Sequence, residues 1–272
     1  MTAAWLPATA KWIAASRARE TLRPDRLFAD PYAEALAGPE GRETMARSES
    51  IAGKENAFLP VRTRYFDDLL LAATREIGQV VLLGAGLDTR AYRLPLDAEV
   101  RFFELDLPEV FAAKKAILKA LHAEPRCHLQ YAPARLDGEW TASLRQTAFA
   151  PDRPSLWIAE GLLFYLSKAA VHALLSRVRA LAAPGSRIAA DFSGTGILER
   201  SELRSYLSWL ASQGAPPPFC CDEPVELFTR AGWKSVKVVE AGQPQANYGR
   251  FPPAAGSLPA GKAQTFLVTA NV

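Results

Sequence analysis

The apolar run Val80-Val81-Leu82-Leu83 leads directly into Gly84-Ala85-Gly86, and the next strand-like run, Val100-Arg101-Phe102-Phe103-Glu104-Leu105, closes on Asp106. Four consecutive apolar residues suit a parallel strand covered on both faces. Glycines at 84 and 86 let the backbone turn tightly and approach a ligand where a Cβ would stand in the way. An acid closing the following strand, about 20 residues on, is where a doubly wound sheet meets the two hydroxyls of a ribose. The pattern predicts a nucleoside site at the carboxyl edge of a parallel sheet, with Gly84, Gly86 and Asp106 lining it.

What the turn lacks narrows the ligand. A dinucleotide site calls for a third glycine in G-x-G-x-x-G so that a pyrophosphate can rest on the helix N-terminus, and this chain has Thr89 there. Asp88, within the turn, would repel a phosphate at close range. An adenosine carrying a cationic group tolerates both features, and S-adenosylmethionine has that character.

Strand-like and helix-like runs alternate from residue 79 onward, the signature of a parallel sheet with crossover helices. Strands are expected at 80–83, 100–105, 127–131, 156–159, 187–192, 235–240 and 265–269. Helices are expected at 62–73, 114–121, 169–181, 197–212 and 225–231. The division this implies is a single domain over 1–272: a helical cap at 1–76, a ligand-binding core at 77–193, a lid at 194–224 before and across Pro216-Pro217-Pro218, and C-terminal strands at 225–272. The connection 242–261, rich in Pro and Gly, is too long for a tight hairpin and is a candidate functional loop.

Composition excludes several classes. With 32 Lys plus Arg against 29 Asp plus Glu spread along the chain, there is no basic stripe to clamp a phosphate backbone, so nucleic acid is not an expected partner. No apolar run reaches the ~20 residues of a membrane span. Cys127, Cys220 and Cys221 have neither zinc-knuckle nor Cys-x-x-Cys spacing, which fits a reducing, cytoplasmic setting. Oligomeric state is left open.

The runs Leu83-Gly84-Ala85-Gly86-Leu87-Asp88-Thr89-Arg90, Phe103-Glu104-Leu105-Asp106-Leu107-Pro108 and Glu160-Gly161-Leu162-Leu163-Phe164-Tyr165-Leu166 resemble the leucine carboxyl methyltransferase family. So do Ser16-Arg17-Ala18-Arg19-Glu20 and Arg62-Thr63-Arg64-Tyr65-Phe66-Asp67 upstream. Within the family the chain looks most like the bacterial branch containing polyketide O-methyltransferases. The resemblance implies a class I methyltransferase fold: an α/β, Rossmann-like seven-stranded sheet with its last strand antiparallel, using S-adenosyl-L-methionine as methyl donor. It further implies that Arg62 holds the donor carboxylate, that Gly84 and Gly86 pass beneath it, that Asp106 takes the ribose hydroxyls, and that Glu160 and Gly161 close the site from the fourth strand. Arg17 belongs to the same cofactor-binding set, and Tyr165, beside Phe164, is the candidate catalytic aromatic near the methyl end. At the end of the third strand the family pattern of an acid followed by leucine is displaced: Leu136 fits, and either Asp137 replaces the acid from a shifted loop or a backbone carbonyl satisfies the adenine amino group.

Residue chemistry agrees with these roles. A guanidinium forks onto a carboxylate, and an acid can face an ammonium. Glu160 lies in an apolar run, where an unpaired carboxylate costs several kcal/mol, roughly, and so needs a partner or a ligand. His172 falls inside the amphipathic 169–181 helix and reads as structural, while His122 and His128 read as solvated. The expected reaction is methyl transfer to an oxygen of a small-molecule acceptor, a polyketide-like phenol or a carboxylate. A protein C-terminal carboxylate is the alternative; a nicotinamide-dependent oxidoreductase is disfavoured by Thr89.

Overall fold

The computed structural model describes residues 5–212, 215–251 and 265–272. At its centre is a seven-stranded sheet in the order β3-β2-β1-β4-β5-β7-β6. The strands are β1 Gln79–Leu83, β2 Arg101–Asp106, β3 His128–Pro133, β4 Leu156–Ala159, β5 Arg187–Ser193, β6 Lys234–Glu240 and β7 Thr265–Asn271. β1 to β5 pair in parallel, and β7 runs antiparallel to both β5 and β6. This is the expected α/β class with an antiparallel last strand. Strand order reverses between β1 and β4, and at such a switch point a crevice opens above the strand carboxyl ends.

Alternation along the strands builds a core on each face. Val81, Leu83, Phe103, Leu105 and Trp157 pack with α7 (Lys168–Leu181) and α9 (Pro224–Arg230) on one side. Val80, Leu82, Phe102 and Ile158 pack on the other with the N-terminal helices α1 (Trp5–Leu22), α2 (Ala33–Ala52) and α3 (Phe58–Ala73), and with α5 (Pro108–Ala120). All five residues of β1 are buried, which is why Val80 to Leu83 are continuously apolar instead of alternating, while the buried Gln79 side chain is paired with the backbone of Ala150.

Helix ends follow local chemistry. α5 starts at Pro108, earlier than the expected 114, because proline suits the first helical position. α7 is capped by Ser167, whose hydroxyl accepts from Ala170 N at 3.2 Å. The turn after β1 is followed by a very short helix, α4 (Arg90–Arg93), and another short one, α6 (Thr141–Arg145), precedes β4. The helix expected at 197–212 is not continuous. Thr195 donates to Asp222 through its backbone and its hydroxyl, at 2.8 and 2.5 Å, and Arg200 is extended, so the segment divides into two 3-10 turns followed by α8 (Arg204–Ser212). The expected loop at 242–261 is described as far as residue 251; its remainder lies outside the described residues. Its described part is fastened to α1, the turn after it and α3: Arg250 pairs with Glu20 at 2.6 Å and Asp25 at 2.5 Å, and the Tyr248 hydroxyl donates to Asp68 at 3.0 Å.

All three cysteines are free thiols. Among the described residues, no helix is long and apolar enough to cross a membrane.

One ion pair is sealed inside the fold. Glu104, from β2, accepts from Lys114 Nζ of α5 at 2.6 Å, and both side chains are fully buried. Burial pushes the Glu104 carboxyl from its ordinary 4.5 up to about 7, against the opposing pull of Lys114. Because the native state holds this proton more tightly than the unfolded chain, the contribution to stability is complete below about 4.5 and is lost as pH rises through about 7. Urea melts are expected to show that loss in the wild type and a flatter profile in Glu104→Gln. Lys114→Met alone should cost about 3–5 kcal/mol, and the double variant Glu104→Leu/Lys114→Met much less, because the cost of breaking such a pair lies chiefly in the charge left behind.

Candidate active site

A cleft of about 930 Å³ opens at the switch point above β1, β2 and β4, at the upper end of the ~300–1,000 Å³ range for small-molecule sites. Arg17, Arg62, Gly84, Gly86, Asp106, Leu136, Asp137, Glu160, Gly161 and Tyr165 all line it. α1 contributes Thr9, Ala10 and Ile13, and Ser212 and Pro216 contribute from the other side.

The turn after β1 is held open by backbone geometry. Gly84 and Gly86 sit at φ +68° and +51°, where an L side chain is strained. A Cβ on Gly84 would come within 2.9 Å of Leu162 Cδ1, whereas one on Gly86 would meet nothing closer than Ala10 at 3.6 Å. Left-handed conformation therefore accounts for both glycines, and close approach to Leu162 adds a second reason at 84. Asp106 secures the turn from β2: one oxygen accepts from Gly86 N and the other from its neighbour Leu107 N, each at 2.6 Å. Burial raises its carboxyl above the ordinary range while the two amides oppose that rise. A carboxylate has about four acceptor sites, so two remain for hydroxyls in the cleft.

Asp88 is not the free anion expected from the sequence. Arg90 N and Nη1 donate to it at 2.7 and 2.5 Å, and burial's upward push is overcome by Arg90, so the carboxyl stays below its usual range. Repulsion of a phosphate by Asp88 therefore carries little weight. The structural objection to a pyrophosphate is α4 itself, a four-residue helix with almost no macrodipole to offer. Thr89 adds to it by spending its hydroxyl on Asp30 Oδ2 at 2.7 Å.

Arg90 is the residue that sequence reasoning passed over, although it ends the quoted glycine motif. It is buried and touches three acids: Asp67 at 2.7 Å, Asp88, and Glu160 Oε2 at 2.7 Å, the last close enough for ion pairing but without hydrogen-bond alignment. Asp67 also receives both terminal nitrogens of Arg93 at 2.7 Å. Arg17 spans from α1 to the glycine turn, with Nε on Asp30 at 2.8 Å and Nη2 on Leu87 O at 2.6 Å, so most of its guanidinium is spent on fastening the turn. Arg17, Arg93 and the Thr89 hydroxyl outweigh the burial that would raise Asp30 and hold that carboxyl low.

At the far end of β4, Arg62 donates through Nε to Glu160 Oε1 at 3.1 Å and through Nη1 to Asp191 Oδ2 at 3.2 Å. Glu160 thus has the partner its apolar surroundings demanded, and it comes from within the chain. Asp191, on β5, was missed although it carries the same signal, an acid in the apolar run Ile188-Ala189-Ala190. Leu136 packs on the core, and Asp137 is exposed and paired with Arg135 at 2.8 Å. The Tyr165 hydroxyl lies 2.9 Å from that of Tyr206 on α8, and Thr9 bonds to both. Burial raises both phenols, so they stay protonated at neutral pH. His122 and His128 are exposed, and His172 lies on α7 outside the cleft lining.

The arrangement suits adenosine bearing a zwitterionic tail: an acid with spare acceptor sites for a diol, left-handed glycines forming a shallow turn, and a guanidinium beside an acid at the other end. Replacing Arg90 with lysine retains a charge but not the fork that serves three acids. Arg90→Lys should lose about 3–5 kcal/mol by urea denaturation; a loss below about 1 kcal/mol would mean the acids are satisfied elsewhere.

Comparison with known proteins agrees. Residues 10–179 match the family model described as leucine carboxyl methyltransferase. A protein of Frankia alni named for S-adenosyl-L-methionine-dependent methyl transfer is 38% identical over 271 residues, covering 96% of this chain and 92% of its own. One of the same description from a Parafrankia species is 43% identical over 188 residues, covering 66% of this chain and 60% of its own, less than two thirds of that protein. In fold, a DUF574 family protein of Streptomyces avermitilis superposes with a TM-score of 0.62 at 16% identity, covering 93% of this chain and 98% of the other. Sheet, cleft and sequence match together place the chain in the leucine carboxyl methyltransferase family, whose methyl donor is S-adenosyl-L-methionine.

Proposed function

We propose that the chain is an O-methyltransferase that moves the methyl group of S-adenosyl-L-methionine to an oxygen of a small acceptor, a carboxylate or an acidic, polyketide-like phenol. Asp106 would accept from the ribose hydroxyls, Arg62 would meet the donor carboxylate, and residues 1–76 and 194–224 would serve as cap and lid. The observation that carries the reading is the chemistry of the cleft lining. It includes the apolar Ile13, Leu162, Leu166 and Ala170 and the hydroxyl-bearing Thr9, Tyr165 and Ser167. The acids that line the cleft, Asp88, Asp106, Asp137 and Glu160, are tied to arginines or backbone amides. An acceptor oxygen beside these hydroxyls finds donors and no uncommitted carboxylate or histidine among the described lining residues, which favours one that arrives already ionised.

Bound S-adenosyl-L-methionine supplies a methyl group on a sulfonium, a leaving group that needs no protonation. The residues then have three tasks: to hold the acceptor oxygen in line, to exclude water, and to present an aromatic face to positive charge. Correct alignment alone is worth about 7–11 kcal/mol. Behind Tyr165, whose hydroxyl lies 2.9 Å from that of Tyr206, Trp12 of α1 meets the Tyr206 ring edge-on at 5.9 Å.

Asp106→Ala is expected to weaken donor binding by about 1.5–3 kcal/mol in calorimetry, the worth of hydrogen bonds to a charged group; an unchanged dissociation constant would remove Asp106 from the site. With a radiolabelled methyl donor and a panel of aryl carboxylates, phenols and peptides ending in leucine, label should enter a small carboxylate or acidic phenol. A base-labile product identifies a methyl ester and a base-stable one a methyl ether. Label in the peptide alone would replace the small-acceptor reading.

A further inference from the structure

We infer that Asp191 is a positioning residue that locks the Arg62 guanidinium, together with the Gly161 backbone, in the orientation needed to receive the carboxylate of the methyl donor; this rests on the donor reading given above. The geometry is a clamp. Arg62 Nε is held by Glu160 Oε1 at 3.1 Å and Nη1 by Asp191 Oδ2 at 3.2 Å. One side of the guanidinium lies against Gly161, where a Cβ would come within 3.0 Å of Nη1, 3.1 Å of Nη2 and 3.3 Å of Cζ. The Phe58 ring centroid lies 5.7 Å from Cζ. Nη2 is the one nitrogen of Arg62 with no partner among the described residues, and Arg62 lines the cleft.

Asp191 joins two parts of this clamp. Its Oδ1 accepts from Gly161 N at 2.6 Å while its Oδ2 takes Arg62, so one carboxylate fixes both the guanidinium and the turn it rests on. Gly161 has φ +63°, a conformation that a side chain would strain, and it follows Glu160 directly. The side chains of Asp191 and Arg62 are 6% and 9% exposed, so neither swings freely into water when the other is lost. Glu160 alone would leave the guanidinium free to pivot about Nε; a second anchor on Nη1 removes that freedom. A bidentate recognition group held this way binds its carboxylate with little ordering cost.

The test separates positioning from general support by using two ligands that differ only in the part Arg62 would touch. S-adenosylhomocysteine carries the amino acid tail; 5′-methylthioadenosine carries the nucleoside and the sulfur without it. In Asp191→Asn the amide oxygen can still accept from Gly161 N, but an NH₂ group then faces Nη1 and pushes Arg62 aside. Calorimetry is expected to show binding of S-adenosylhomocysteine weakened about tenfold or more, the scale of a lost charged contact, with 5′-methylthioadenosine within about twofold of wild type. Asp191→Glu restores the charge on a longer arm and should recover part of the loss. If Asp191→Asn fails to fold by circular dichroism, Asp191→Glu against wild type carries the same comparison, the homocysteine ligand losing more than the truncated one. Equal weakening of both ligands, or no weakening of either, overturns the assignment. Wild-type protein that binds neither overturns the donor reading itself and the assignment with it.

Discussion

The buried ion network centred on Arg90 and Arg62 is what the cap, the glycine turn and the strand ends depend on together. Arg90 ties Asp67 of α3 and Asp88 of the turn to Glu160 at the end of β4, and Arg62 of α3 ties Glu160 to Asp191 of β5. Arg17 and Asp30 extend it through α1 to Leu87 and Thr89. Taking so many charges out of water is expensive, and well-packed apolar residues would stabilise the same contacts at least as well. What charges offer instead is direction. Each guanidinium accepts only a few arrangements of its acids, so the helices of the cap can seat on the sheet in few ways.

That rigidity has a consequence for how the site meets its ligand. Sequence chemistry alone suggests an arginine waiting for a carboxylate and a glutamate waiting for an ammonium. In the folded chain these two groups are already partners, and each has a second partner behind it, Asp191 for Arg62 and Arg90 for Glu160. A donor tail bound there, as proposed, would therefore meet a neutralised, oriented surface instead of two isolated charges. Isolated buried charges would lower their own cost by changing protonation. Arg62 instead is held protonated, because Asp191 and Glu160 outweigh the burial that opposes its charge.

The fold was legible because its signals are local: a continuous apolar run for a doubly covered strand, Gly84 and Gly86 for the turn, Asp106 at the next strand end, and Pro184-Gly185 between α7 and β5. The lining of the cleft was legible for the same reason, since each named residue falls at a strand end or in a motif. What stayed hidden was the pairing. No spacing in the sequence brings Arg62 to Asp191, 129 residues away, or Arg90 to Glu160; those contacts exist only once β1, β4 and β5 lie side by side. Asp191 could have been flagged by the reasoning applied to Glu160, an acid inside an apolar run. Asp88 was misjudged because the sequence gives a charge without its partner, which here sits two residues along, at the first position of α4.

The same pairing explains why a two-glycine turn followed by an acid need not signal a dinucleotide. Charge in the turn does not decide the matter, since Arg90 compensates Asp88. The decisive feature is that the chain leaves helical geometry after Arg93, so few aligned peptide dipoles point at the cleft, and the side chain at the third glycine position is engaged with Asp30 in the cap. With anion binding at the turn weakened in this way, the groups left to recognise a ligand in the proposed reading are Asp106 and the clamp around Arg62. A nucleoside with a charged tail would engage both. A nucleoside diphosphate would place its charge over a turn that has little to hold it.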